Sequence, residues 1–155
     1  MSYNTKEIKA LYECIICIID KTASYISALS PLVTVTFFAD DQSYKKAYAH
    51  YRRLSTNIIK LKDSADSVNS TLSLRICQAD KDMDVDALRR YTEVFERYQS
   101  WSNSFSKFFS DSEDEFTKNK YSLKISVLLS FAQLFFNQSK DIANFLDACM
   151  TTNLG

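Results

Sequence analysis

The chain contains almost no glycine or proline. Its 155 residues include one glycine, Gly155, and one proline, Pro31, where average usage predicts about ten and about eight. Tight β-hairpins, phosphate-binding loops and nucleophile elbows depend on glycine, because their backbone needs a positive φ or a close approach to a ligand. The composition therefore argues against turn-rich β architectures and removes the usual scaffold of several enzyme classes.

Apolar side chains recur at steps of three and four residues through four long segments, which is the period of an amphipathic helix. The second segment has the most regular pattern. Its apolar positions are Tyr44, Ala47, Tyr51, Leu54, Ile58, Leu61, Ala65, Val68 and Leu72. The patterns predict helices over residues 4–29, 41–78, 84–110 and 112–150. A chain of this length suits a single domain, residues 1–155.

Capping signals set the predicted helix boundaries. Asn4 and Asp84 are N-cap residues for the first and third helices, since their side chains accept hydrogen bonds from free backbone N–H groups. Pro31 stops the first helix. Ser112 and Glu115 have the spacing of a capping box, which predicts the start of the fourth helix.

Helices of this length are rods of about 40–55 Å, because an α-helix rises 1.5 Å per residue. Such rods need neighbours to cover their apolar faces, and the short connections between them favour antiparallel packing. We predict an all-α, up-down-up-down four-helix bundle. The alternative is an elongated three-helix coiled coil that completes its core by dimerising.

Few residues suit catalysis or metal binding. His50 is the only histidine, so paired-histidine metal motifs cannot form within the chain. Cys14 and Cys17 form a C-x-x-C, but they lie within a helix among isoleucines, where burial raises a thiol pKa. We interpret the cysteines as reduced core residues. We predict no enzymatic activity, no catalytic residue, no metal and no cofactor.

The N-terminal region predicts neither export nor membrane insertion. Residues 1–9 are polar, and the longest wholly apolar run is Cys14–Ile19. A membrane span needs about 20 apolar residues, and a signal peptide needs an apolar stretch near the N-terminus. We therefore expect a cytoplasmic protein.

Basic side chains follow the core positions of the second helix and share its outward face. They are Lys45, Lys46, Arg52, Arg53 and Lys60. Such a stripe can contact an acidic protein or an anionic membrane surface. The formal net charge of the whole chain is zero, so there is no bulk field to favour nucleic acid, and we expect no nucleic-acid partner.

Aromatic residues supply the candidate docking anchors, because large rings dominate interface energies. The candidates are Phe37, Phe38, Trp101, Phe108 and Phe136. Together with the basic stripe they predict a non-enzymatic scaffold, adaptor or complex subunit that binds another protein, with a second copy of the chain as a further candidate partner. The alternative is a peripheral membrane-binding module that uses the basic helix face.

Overall fold

The structure is a computed structural model that describes residues 4–33, 38–79, 84–119 and 121–151. Within those ranges it contains helices and no strand. The elements are α1 Lys6–Leu29, a 3-10 turn at Ser30–Leu32, α2 Asp41–Cys77, α3 Val85–Lys118 and α4 Ile125–Thr151. Pro31 lies in the 3-10 turn directly after α1, as predicted from its inability to continue a helix.

The four helices form an antiparallel bundle. Each helix packs against the next one in the chain, α4 closes the ring against α1, and the α2–α3 seam is the least closely packed. The hydroxyl of Tyr44, near the start of α2, donates to the carbonyl of Phe116, near the end of α3. The predicted all-α four-helix bundle is confirmed. The three-helix alternative is wrong, because the fourth helix completes the core within one chain.

A layer of four aromatic rings, one from each helix, crosses the bundle. The ring centre of Tyr25 lies 6.4 Å from that of Tyr51 and 6.3 Å from that of Phe108. Phe108 stacks on Phe135 with ring centres 4.9 Å apart. All four side chains are buried. We call them the four-ring layer; its ring pairs join α1 to α2, α1 to α3 and α3 to α4.

Aspartate caps begin the two longest helices. The Asp40 carboxylate accepts a hydrogen bond from the backbone N–H of Ser43 at 2.7 Å, and this bond lowers the pKa of Asp40. Asp84 caps α3 in the same way, which confirms its predicted role. Helix α1 begins two residues later than predicted, and the Asn4 side chain accepts from the backbone N–H of Lys6.

The predicted break at residues 110–112 is wrong, because α3 continues unbroken to Lys118. Phe105, Phe108, Ser112 and Phe116 are all buried, and their steps of three and four residues extend the core face of α3 through the expected break. Ser112 therefore faces the core and does not begin a helix. Its hydroxyl is buried without a hydrogen-bond partner among the described residues.

Glu115 organises the true connection between α3 and α4. Its carboxylate accepts a hydrogen bond from the Asn119 side chain at 2.9 Å and a longer one from the backbone N–H of Lys124 at 3.4 Å. The second bond satisfies a donor just before α4, where intrahelical acceptors are lacking. The sequence predicts Glu115 as part of a capping box inside the fourth helix. The structure places Glu115 near the end of α3, and its carboxylate reaches the start of α4 from there.

Truncation of Phe135 tests the four-ring layer. We expect Phe135→Ala to lower the free energy of unfolding by about 3–5 kcal/mol, because it removes a buried ring and leaves a cavity. The neighbouring Leu134 is 52% exposed, so Leu134→Ala is the matched control and should cost about 0.5 kcal/mol or less. Urea denaturation measures both; equal losses would contradict the assigned core face of α4.

A second pair of variants tests the corrected helix boundary. If Ser112 were the N-cap of a capping box, Ser112→Ala would lower the free energy of unfolding by about 1 kcal/mol. The continuous α3 predicts no loss of stability on Ser112→Ala, because the hydroxyl of Ser112 has no hydrogen-bond partner in the described part of the chain. Glu115→Ala should cost about 1–2 kcal/mol through its lost hydrogen bonds. Thermal or urea unfolding of both variants distinguishes the continuous α3 from a helix break at residues 110–112. A larger loss of unfolding free energy for Ser112→Ala than for Glu115→Ala would favour the break.

Candidate functional site

The outward side of α2 carries a row of basic side chains that we call the basic face. It consists of Lys45, Lys46, Arg52, Arg53 and Lys60, all of them exposed. Buried Ala47, Leu54 and Ile58 hold the opposite side of the same helix against the bundle. The basic face is about 22 Å long, since a helix rises 1.5 Å per residue. The structure thus brings these five predicted residues together on one surface.

The positive charge of the basic face is not offset by ion pairs. None of its side chains pairs with an acidic group within the described ranges. The side chain of Arg52 contacts a neighbouring aromatic residue: its guanidinium lies 5.9 Å from the ring centre of Tyr48 and donates to the hydroxyl of that residue at 3.4 Å. Residues 42–62 contain no Asp or Glu, and this acid-free run is a sequence signal for the unpaired charge.

Basic side chains on α3 are in a different electrostatic environment. Lys107 pairs with Asp111 at 3.1 Å, and Lys118 pairs with Asp114 at 3.5 Å. Both pairs have the spacing of four residues that brings side chains together on a helix surface. The exposed charge on this part of α3 is therefore balanced locally, whereas the side chains of the basic face of α2 form no ion pair with a described residue.

Three of the predicted aromatic anchors lie at or near the surface or outside the described residues. Phe38, in the connection before α2, is 50% exposed, and the Lys124 ammonium lies 5.8 Å from its ring centre. Phe136 on α4 is half-buried, with the Lys140 ammonium 5.4 Å from its ring centre. Phe37 lies outside the described residues. The two described rings are on different elements and do not extend the basic face.

Trp101 and Phe108 are not docking residues, and their predicted role is wrong. Each is 3% exposed. The Trp101 indole N–H donates to the hydroxyl of Ser139 at 2.8 Å, and Phe108 belongs to the four-ring layer. Both residues lie on the buried face of α3, because the core row of this helix runs through them and not through Ser102 and Phe109 beside them.

Several grooves lie between neighbouring helices in the described part of the bundle, and two of them involve α2. The larger, of about 550 Å³, lies in the loosely packed α2–α3 seam and includes Asp66, Asn69 and Tyr98. Tyr98 donates to the Asp66 carboxylate at 2.6 Å, and burial, followed by this bond, raises the pKa of Tyr98. A smaller groove, of about 220 Å³, lies between α1 and α2 and includes Lys21, His50 and Arg53. No group of three His, Cys, Asp or Glu side chains in the described ranges is placed to hold a metal ion.

The cysteines differ in exposure. All four are in the described ranges and none forms a disulfide. Cys149 is buried, and partial burial of Cys14 raises its thiol pKa, as the isoleucine-rich surroundings predicted. Cys17 and Cys77 are exposed, so their interpretation as core residues is wrong. Cys17 points outward from α1, and Cys77 is the last residue of α2.

The segment Lys6–Leu32 is long and apolar enough to cross a membrane when length and composition alone are considered. That result differs from the expectation drawn from the short wholly apolar runs in the sequence. In the bundle, the apolar side chains Ile8, Leu11, Ile15 and Ile18 of this segment are fully buried against the other helices. Of the most apolar 18-residue window of this segment, 28% is buried in the bundle.

The single tryptophan gives a direct test of the corrected placement. We expect Trp101 to emit at short wavelength and to resist acrylamide quenching, because its ring is buried. Ser139→Ala should lower the free energy of unfolding by about 1–3 kcal/mol, since it leaves the indole N–H without an acceptor. Ser126→Ala, at an exposed position of α4, is the control. Red-shifted, readily quenched emission from the folded wild-type protein would show that Trp101 is exposed and would contradict its buried placement.

Comparisons with known proteins give no relative from which a function could be inferred. The chain matches no protein family, no curated protein and no solved structure.

Proposed function

We propose that this chain is a non-catalytic scaffold or adaptor subunit that binds an acidic protein partner through the basic face of α2. The observation that carries the proposal is the set of five exposed basic side chains that lack ion-pair partners among the described residues. Complementary charge accelerates association and fixes the register of a partner along the helix.

The shape of the basic face supports a helical or extended protein partner. Two small exposed side chains, Ala49 and Thr56, lie between its basic residues, so a partner backbone can approach α2 closely. Ile59 is exposed next to Lys60 and offers an apolar contact at one end. Arginine is enriched among residues that dominate interface energy, and Arg52 and Arg53 occupy the centre of the face.

The second candidate is a peripheral membrane module. It would use the basic face of α2, and further support comes from the end of the bundle where α2 begins. A backbone hydrogen bond from Ala39 to Leu123, 2.8 Å long, joins the α1–α2 and α3–α4 connections there. Exposed Phe38 and the nearby Lys124 ammonium lie in these connections. An aromatic ring beside cationic groups is suited to the interface of an anionic membrane.

Charge reversal tests the protein-binding proposal. We expect a Lys46→Glu, Arg53→Glu double variant to recover its partner from native cells roughly tenfold less than wild type, because two attractive charges become repulsive. Quantitative affinity purification measures the loss. The control is Lys6→Glu with Lys9→Glu, which makes the same change in formal charge at exposed positions at the start of α1. Equal recovery by the two double variants would contradict the proposal.

Sedimentation with vesicles separates the membrane alternative from the protein-binding proposal. The proposed function predicts that wild type stays in solution with phosphatidylserine-containing vesicles at physiological salt. Sedimentation of wild type and of the Lys6, Lys9 variant, combined with release of the Lys46, Arg53 variant, would instead favour the membrane module. Circular dichroism of all variants checks that the exposed substitutions leave the bundle folded.

A further inference from the structure

The smaller groove, between α1 and α2, combines basic side chains from both helices. Its volume is about 220 Å³, far above the about 10–15 Å³ that one water molecule requires. The residues that line it are Lys21, Ser24, Tyr25 and Ala28 of α1 and His50, Arg53, Leu54 and Asn57 of α2. The antiparallel packing of α1 and α2 brings Lys21 to the same groove as His50 and Arg53, although they are distant in sequence.

The charge of this groove is of one sign. Three of its lining residues are Lys, His or Arg, and none is Asp or Glu. Three other grooves on the described part of the bundle each contain an aspartate: Asp66 in the α2–α3 seam, and Asp141 and Asp111 in two grooves between α3 and α4. The α1–α2 groove therefore differs from them in the charge of the ligand that it favours.

The polar groups of the groove are mainly donors. The Arg53 guanidinium can present two parallel N–H groups to an oxyanion, and the Lys21 ammonium adds a mobile point charge. Neither forms an ion pair with a described residue. The groove wall includes Tyr25, whose buried hydroxyl has no hydrogen-bond partner among the described residues. The side chain of Asn57 adds an exposed amide at the rim.

We propose that the α1–α2 groove binds a phosphate group, presented either by a soluble phosphate ester or by a phosphorylated lipid headgroup. Arg53 and Lys21 neutralise the phosphate oxygens from the two helices, and the imidazole of His50 donates a further hydrogen bond. The volume accommodates the phosphate and the first atoms of its substituent. Part of the substituent lies outside the groove, in solvent or in the lipid headgroup region.

This site is separable from the proposed protein interface. Arg53 belongs to both, but Lys21 is on α1 and is not part of the basic face. A substitution at Lys21 therefore affects the phosphate site without removing a charge from the basic face. Loss of phosphate binding in a Lys21 variant that keeps its protein partner would separate the two sites.

The only histidine in the chain reports on the groove directly. We expect inorganic pyrophosphate, added to the intact protein at constant ionic strength and pH, to shift the single imidazole Hε1 resonance of His50 in a saturable way. Lys21→Gln and Arg53→Gln should each weaken the apparent affinity roughly tenfold, because each removes a charge-assisted hydrogen bond. Lys9→Gln removes an exposed charge elsewhere on α1 and should leave the titration unchanged.

Two outcomes would overturn the phosphate site. One is a His50 resonance that shows no saturable shift with pyrophosphate. The other is an equal affinity for wild type, Lys21→Gln and Arg53→Gln, which would show that any shift reflects general screening. Circular dichroism and the dispersion of amide resonances verify that each variant is folded, so a lost titration is assigned to the groove and not to unfolding.

Vesicles distinguish the two sources of the phosphate. If the group belongs to a lipid headgroup, vesicles containing a phosphatidylinositol phosphate sediment the wild-type protein, Lys21→Gln reduces sedimentation, and excess pyrophosphate releases it. If it belongs to a soluble ester, pyrophosphate binds and these vesicles do not sediment the protein. Binding of neither probe contradicts the site in both forms.

Discussion

The burial of aromatic rings between four helices is the interaction on which the rest of this structure depends. Tyr25, Tyr51, Phe108 and Phe135 each come from a different helix and meet in one layer. Large rings bury much apolar surface and add favourable edge and stacking contacts. Because this core holds one side of every helix, the opposite sides are fixed in space, and the basic face of α2 is a consequence of that orientation.

The arrangement of charge distinguishes the surfaces that the core leaves exposed. On α3, lysines pair with aspartates one turn away, as Lys107 does with Asp111. Exposed pairs of this kind contribute little to stability, but they leave little net field. The five side chains of the basic face form no such ion pairs with described residues, and Lys21 of α1 adds a further positive charge at the α1–α2 groove. The lysines near the end of α3 already pair with aspartates of the same helix, whereas the basic face of α2 can attract an anionic partner. This difference underlies both proposed binding sites.

The sequence predicted the fold because periodicity and the scarcity of glycine both indicate helices. It failed at α3 because two adjacent rows of this helix are rich in aromatic residues, as in Phe108 and Phe109. Periodicity alone does not decide which row faces the core, so the sequence leaves Trp101 and Phe108 as candidate docking anchors. The spacing of Ser112 and Glu115 also satisfies a local capping rule, whereas tertiary packing places Ser112 inside the bundle.

The basic face could be predicted from one helix, since its members follow core positions at fixed spacing. The α1–α2 groove could not be predicted, because Lys21 meets His50 and Arg53 only after two helices pack antiparallel. The position of the polar connection after Lys118 could not be predicted either. It contains no glycine or proline, and Glu115 stabilises it by bonds to Asn119 and Lys124 that no short motif describes.

The central claim is that one chain supplies all four walls of its own core. The most direct test is the thermal unfolding midpoint, measured by circular dichroism over about a 100-fold range of protein concentration, because a core shared between chains makes this midpoint depend on concentration. A self-contained bundle predicts the same midpoint throughout the range. A midpoint that rises steadily with concentration, together with loss of helix on dilution, would contradict the claim and show that the core is completed by a second copy.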